Sequence, residues 1–80
     1  MTNLEKYKKV FMETFEIEEA QLDGLQYQEI TAWDSVGHMM LVAALEDAFD
    51  IMMDTDDIID LNSYETGIEI LKKYNVEIKE

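Results

Sequence analysis

Ser35 is the residue whose chemistry this sequence singles out. It follows Asp34 and precedes Val36, at the point where a helical apolar period begins. A phosphate ester on a hydroxyl there faces backbone N–H groups that have no intrahelical acceptor, and the positive end of the helix dipole. Asp34 has the short side-chain acceptor of a good N-cap. A serine at a helix start is ordinarily a cap and nothing more, so the position alone does not define a function. His38 lies one turn further on, and a Ser–His pair suggests a nucleophile and its base. No third group is placed to orient the imidazole, and a pair on a helix surface has no oxyanion pocket. His38 is therefore expected to be packed or half-exposed, with a structural role. Asp54, Asp56 and Glu65 have the spacing of positions one, three and twelve of a calcium-binding loop. Ile58 and Ile59 stand where an oxygen ligand and a glycine are needed, so no metal site is expected.

The elements that must position these residues read as helices throughout. Thr2 and Glu5 have capping-box spacing, and a first helix starting at Thr2 or Asn3 carries Leu4, Tyr7, Val10, Phe11, Thr14 and Phe15 on one face, stopping near Glu16. A long connection runs from Ile17 to Trp33, with a possible turn of helix around Glu18 to Leu22 and a breaker pair at Asp23-Gly24. Leu22, Leu25, Tyr27 and Ile30 are expected to be pinned to the core, since a loose loop would not carry so many apolar residues. The second helix begins at Asp34-Ser35 and runs to about Phe49. A short helix spans Thr55 to Asp60. The last begins after Asn62 or Ser63 and runs to about Tyr74, with Tyr64, Gly67, Ile68, Leu71 and Tyr74 facing inward and Asn75 as its stop. The tail from Val76 is expected to fray. Residues 1–80 thus form one all-α domain: three longer helices, one short helix and a long first loop.

Composition narrows the function. Eighty residues bury a thin core, which favours binding or carrying over catalysis in a deep cleft. A formal net charge of -13 disfavours nucleic acid and anionic lipid, and favours partners with basic surfaces. There is no cysteine, so any thiol chemistry needs an imported thiol. With no apolar leader and no apolar run of about twenty residues, a cytoplasmic monomer without membrane contact is expected. The carboxylates from Glu46 to Asp60 are expected to repel one another and so to titrate high on average. Asp34, Asp56 and Asp57, at helix starts, work the other way.

The second helix carries two apolar stripes. Leu41, Val42, Leu45 and Phe49 share one arc with His38, enough to meet a core. Val36, Met39, Met40 and Ala43 fall on another, beside Glu46 and Asp47. Burial of both would make the helix central. Exposure of the second would make a docking face, and flexible methionines suit a surface that accepts several shapes.

The segment Trp33-Asp34-Ser35-Val36-Gly37-His38-Met39-Met40-Leu41-Val42-Ala43-Ala44-Leu45-Glu46-Asp47-Ala48-Phe49 resembles the acyl carrier proteins. Their attachment motif, Asp-Ser-aliphatic, reads here as Asp34-Ser35-Val36. The aliphatic helix closing on an acidic pair and Phe reads as Leu41, Val42, Leu45, Glu46, Asp47 and Phe49. Thr55-Asp56-Asp57 and Asn62-Ser63-Tyr64 are similar to the starts of the family's last two helices, so the likeness covers nearly the whole chain. It implies a four-helix bundle that is not itself an enzyme. It also implies a 4′-phosphopantetheine arm on Ser35, transferred from coenzyme A by a phosphopantetheinyl transferase, whose thiol carries an acyl group as a thioester. The implied partners are that transferase, an acyl- or aminoacyl-activating ligase, and a synthase or acyltransferase with a basic docking surface.

Two positions depart from the pattern. Gly37 and Met40 stand where many fatty-acid carriers have acidic residues. Together with Trp33 and Gly37-His38, they are more similar to stand-alone carriers of specialised lipid, polyketide or polysaccharide-modifying pathways. An aminoacyl or peptidyl carrier shares the Ser-aliphatic pattern. An acidic helical interaction domain that is never modified is the reading from another class.

Overall fold

The computed structural model describes residues 1–79. Helix α1 (Asn3–Phe15) starts where Thr2 and Glu5 cap it reciprocally. The Glu5 N–H donates to Thr2 Oγ1 at 3.1 Å, and the Thr2 N–H donates to Glu5 Oε1 at 3.0 Å. It stops at Glu16, whose left-handed φ of 53° lets the Ile17 N–H reach the Met12 carbonyl. Helix α2 (Ser35–Phe49) ends the same way at Asp50, with φ 52°. The short α3 (Thr55–Asp60) and α4 (Tyr64–Lys72) follow, the latter capped by Ser63 Oγ accepting from the Thr66 N–H at 3.0 Å. Among the described residues there are four α-helices and no strand, so the all-α expectation holds. No helix among them is long and apolar enough to cross a membrane.

The connection between α1 and α2 carries a one-turn 3₁₀ helix at Glu19–Gln21, inside the stretch where the sequence suggests a turn. It is held down at both side-chain and backbone level. Leu22 and Leu25 are buried, and Tyr27 and Ile30 pack against the core. The Tyr64 N–H donates to the Leu25 carbonyl at 2.8 Å and the Tyr27 N–H to the Asn62 carbonyl at 2.9 Å, a two-bond bridge onto the start of α4. The radius of gyration, 11.3 Å, is that of a chain with no loose loop, for which about 11.6 Å is expected at this length.

Helix α1 packs on α2 and meets α4 through ring contacts and one polar contact. The Tyr7 hydroxyl donates to the Tyr64 carbonyl at 2.6 Å, and burial pushes the phenol's pKa well up, so it stays a donor. Gly67 makes room for it: a Cβ there would lie 2.0 Å from the Tyr7 oxygen. Tyr7, Phe11, Phe15, Trp33 and Tyr64 then form a continuous ring cluster with centroid separations between 5.0 and 5.9 Å.

Two expectations are corrected and a third holds for a different reason. The tail does not fray over its described length. Val76 and Ile78 are buried, the Val76 N–H donates to the Leu71 carbonyl at 3.0 Å, and Asn3 Nδ2 donates to the Glu77 carbonyl at 3.1 Å. The inner face of α4 is also rotated. Ile70 is buried beside Tyr64, Gly67 and Leu71, while Ile68 and Tyr74 are only partly covered. Ile68 shares an open groove with Ile78 of the tail, so the chain's last turn broadens the covered arc.

The third concerns charge. Asp57, expected only to meet the α3 dipole, is the one buried charged residue among those described. Its carboxylate accepts from the Lys73 ammonium and from the Tyr74 hydroxyl, which in turn accepts from the Asp54 N–H at 2.9 Å. The hydrogen bond from Lys73, then that from Tyr74, holds the Asp57 carboxyl below the ordinary carboxylate range, the direction expected of an acid at a helix start but from side-chain partners that the sequence did not suggest. The folded state therefore binds fewer protons than the unfolded one in that range. The stabilisation is complete above the unfolded value of about 3.9 and is lost as pH falls through the lowered folded value. Asp57→Ala is expected to melt below wild type at pH 7, with the gap closing in acid. A gap that stays constant down to pH values where wild type itself begins to unfold would remove the assignment.

Candidate functional site

The site is built at the start of α2. Asp34 is extended (φ -104°, ψ -168°) and caps the helix, with its Oδ1 accepting from the Gly37 N–H at 2.8 Å and its carbonyl from the His38 N–H at 2.7 Å. Ser35 is the first helical residue and is exposed, its hydroxyl projecting from the cap rather than forming it. The backbone N–H groups of Ser35 and Val36 donate to nothing among the described residues, as the first turn of a helix requires.

The turn is clamped from below. Trp33 is fully buried, stacked on Phe15 at 5.3 Å with Phe11 and Tyr27 meeting it edge-on. Its indole N–H donates to His38 Nδ1 at 3.0 Å. The two rings lie within 13° of one plane with centroids 6.3 Å apart, an edge-to-edge pair joined by that bond. His38 Nε2 meets the Ile58 carbonyl of α3 at 2.8 Å. The indole can only donate and the carbonyl can only accept, so the imidazole is the neutral Nε2–H tautomer. His38 has the structural role expected of it, tying the connection, α2 and α3 together.

Gly37 is explained by the same clamp. A Cβ there would lie 1.9 Å from the Ala32 carbonyl oxygen, which is backbone and has no rotamer to escape into. The chain crossing over this position closes it to any side chain.

The two stripes of α2 separate, one buried and the other exposed. Leu41, Val42 and Leu45 are buried, with Phe49 partly so. Val36 is 68% exposed, Met39 54% and Met40 56%, with Ala43 exposed beside them, within an arc of about 100°. The flanking acids divide. Asp47 is exposed and lines a groove of about 360 Å³ between α1 and α2 with Lys6 and Lys9. Glu46 is half-buried and accepts from the Met53 N–H at 2.9 Å, so its carboxylate holds the turn after α2 as well as bordering the stripe. A second groove, of about 230 Å³, lies one turn from Ser35 between α2, α3 and the connection, lined by Tyr27, His38, Ile58, Ile59, Leu61 and Asn62. Its members are scattered over 36 positions, from Tyr27 to Asn62, and no sequence signal gathers them. The Trp33–His38 bond did have one: a buried indole needs an acceptor, and His38 is a polar side chain one turn inside the next helix. Among the described residues no three His, Asp or Glu side chains are grouped to hold a metal ion.

Comparison of the chain with protein-family models, with curated proteins and with solved structures gives no match.

Gly37→Ala tests the clamp. It is expected to cost on the order of 1–3 kcal/mol, read as a lower urea midpoint with unchanged slope, because either Ala32 or the first turn of α2 must move. A variant as stable as wild type would show that the crossing is loose.

Proposed function

We propose that this chain is a carrier protein of the acyl carrier type, with its four helices arranged as that family's bundle and Ser35 as the attachment point of a 4′-phosphopantetheine arm. The observation that carries the reading is the state of Ser35. Its hydroxyl is exposed at the first position of α2, next to two backbone N–H groups without acceptors, while the neighbouring Asp34 does the capping. A phosphodiester fits that place, since the N–H groups of Ser35 and Val36 and the helix dipole favour an anion there. Asp34 Oδ1 is occupied by the Gly37 N–H, which softens its repulsion of the phosphate. On this reading Ser35 Oγ attacks phosphorus of coenzyme A in the active site of a phosphopantetheinyl transferase. The Oγ–P bond forms, the pyrophosphate P–O bond breaks, adenosine 3′,5′-bisphosphate leaves, and the hydroxyl proton passes to a base of the transferase. The arm supplies a terminal thiol, which carries the cargo as a thioester in a chain that has no cysteine.

The exposed stripe Val36, Met39, Met40 and Ala43 is the docking face of this reading. It adjoins Ser35 along α2, so an enzyme seated on it has the arm within reach. Asp47 and the outer part of Glu46 border it, which suits a transferase, an activating ligase, or a synthase or acyltransferase with basic residues around an apolar socket. The setting is the cytoplasm, where coenzyme A serves as arm donor.

Two measurements test the reading. Incubated with coenzyme A and a broad-specificity transferase, wild type is expected to gain the mass of the arm on Ser35, and Ser35→Ala to gain nothing. An unmodified wild type would point to the interaction-domain reading instead. Met40→Glu, at an exposed position, is expected to keep stability within about 0.5 kcal/mol of wild type while slowing transfer by the same transferase. Equal rates for both proteins would take Met40 out of the face that this enzyme uses.

A further inference from the structure

We propose that the cargo of this carrier rides outside the helical core, and that its class is therefore a short or polar acyl group, not a long alkyl chain. This rests on the Ser35 reading and deepens it. One turn from Ser35, the groove between α2, α3 and the connection offers a way inward. That passage is occupied by Trp33 and His38, whose ring nitrogens are all committed: indole N–H to imidazole Nδ1 at 3.0 Å, and Nε2–H to the Ile58 carbonyl at 2.8 Å. The indole is fixed on one face by Phe15 and at its edges by Phe11 and Tyr27. Leu41, Leu45 and Leu61 fill the core and are also fully buried. An alkyl chain could enter only by displacing the indole or the imidazole. Either move leaves the buried indole N–H without its acceptor, a penalty that sets itself against each methylene buried. A close-packed core of rings does not open by small adjustments.

What lies beside Ser35 is the groove itself, about 230 Å³ over Tyr27, His38, Ile58, Ile59, Leu61 and Asn62. It is open to solvent and lined mostly by apolar side chains, with the Asn62 amide and the imidazole edge beside them. Such a surface can support the arm or the first carbons of a cargo, and it has no enclosed volume for a long chain.

The experiment compares two loaded forms of the full chain, made with acetyl-coenzyme A and octanoyl-coenzyme A and the same transferase, and confirmed by intact mass. Each is then treated with hydroxylamine, which cleaves accessible thioesters, and each is melted. The expected result is matching cleavage rates and matching melting temperatures for the two cargoes. A sheltered octanoyl chain would be cleaved several-fold more slowly and would raise the melting temperature by roughly 4 °C or more. That result overturns the cargo class and leaves Ser35 as the attachment point. No mass gain with either donor removes the attachment itself, and this inference with it.

Discussion

A buried indole N–H must find an acceptor, and the way Trp33 finds one organises this molecule. The ring is fully buried and its donor is met by His38 Nδ1, which forces the imidazole to offer its other nitrogen to the Ile58 carbonyl. One bond thus fixes a tautomer, and the tautomer fixes where α3 sits against α2. Burying an indole of about 200 Å² contributes about 5 kcal/mol, which offsets the ordering of only three or four residues of backbone. Trp33 cannot hold the whole connection by itself. Leu22, Leu25 and the two backbone bonds to the start of α4 supply the remainder, and the connection is seated at both ends.

The geometry at Ser35 is a consequence. Because Trp33 is fixed, the chain crosses α2 with the Ala32 carbonyl against Gly37, and Asp34 is delivered to the cap. Ser35 is left with nothing to hold, and its hydroxyl points outward. The same seating explains the second stripe. One arc of α2, centred on Leu41 and Leu45, satisfies the core completely, so the methionines have nothing in the chain to cover them. In the proposed carrier, the reacting position and the docking face are both residues that the core did not need.

Features with a local cause were legible in the sequence. The Thr2–Glu5 box, the Asp34 and Ser63 caps, the Asn75 stop and the short α3 follow from side chains acting within one turn of themselves, and each stands where its residues put it. The two stripes of α2 could be separated on a wheel, though a wheel cannot say which one is wet. What escaped was non-local. The Asp57–Lys73–Tyr74 cluster joins residues 16 and 17 positions apart, and an acid at a helix start gives no hint of a lysine on another helix. Ile70 was missed because the inner face of α4 depends on the returning tail, which the Val76 N–H fastens to the Leu71 carbonyl. Gly37 could be read as a departure from the family pattern, but its reason lies in a carbonyl five residues earlier that only the fold brings near.

The placement of the cations has a consequence of its own. All six lysines fall among the first nine or the last nine residues, and between Lys9 and Lys72 there are 16 acids and no Lys or Arg, the total of 19 less Glu5, Glu77 and Glu80. The two ends of the chain meet, with Asn3 bonded to the Glu77 carbonyl. Charge is therefore unevenly spread: the lysines lie toward the ends of the chain, with Lys8, Lys72, Lys73 and Lys79 ion-paired to acids, and the long middle carries acids alone. In the field of a charged enzyme a particle charged in this way feels a torque as well as a pull, and turns before it touches. The middle of the chain, α2 included, holds the acids that no lysine neighbours in sequence, so it is the part that a basic surface draws in most strongly.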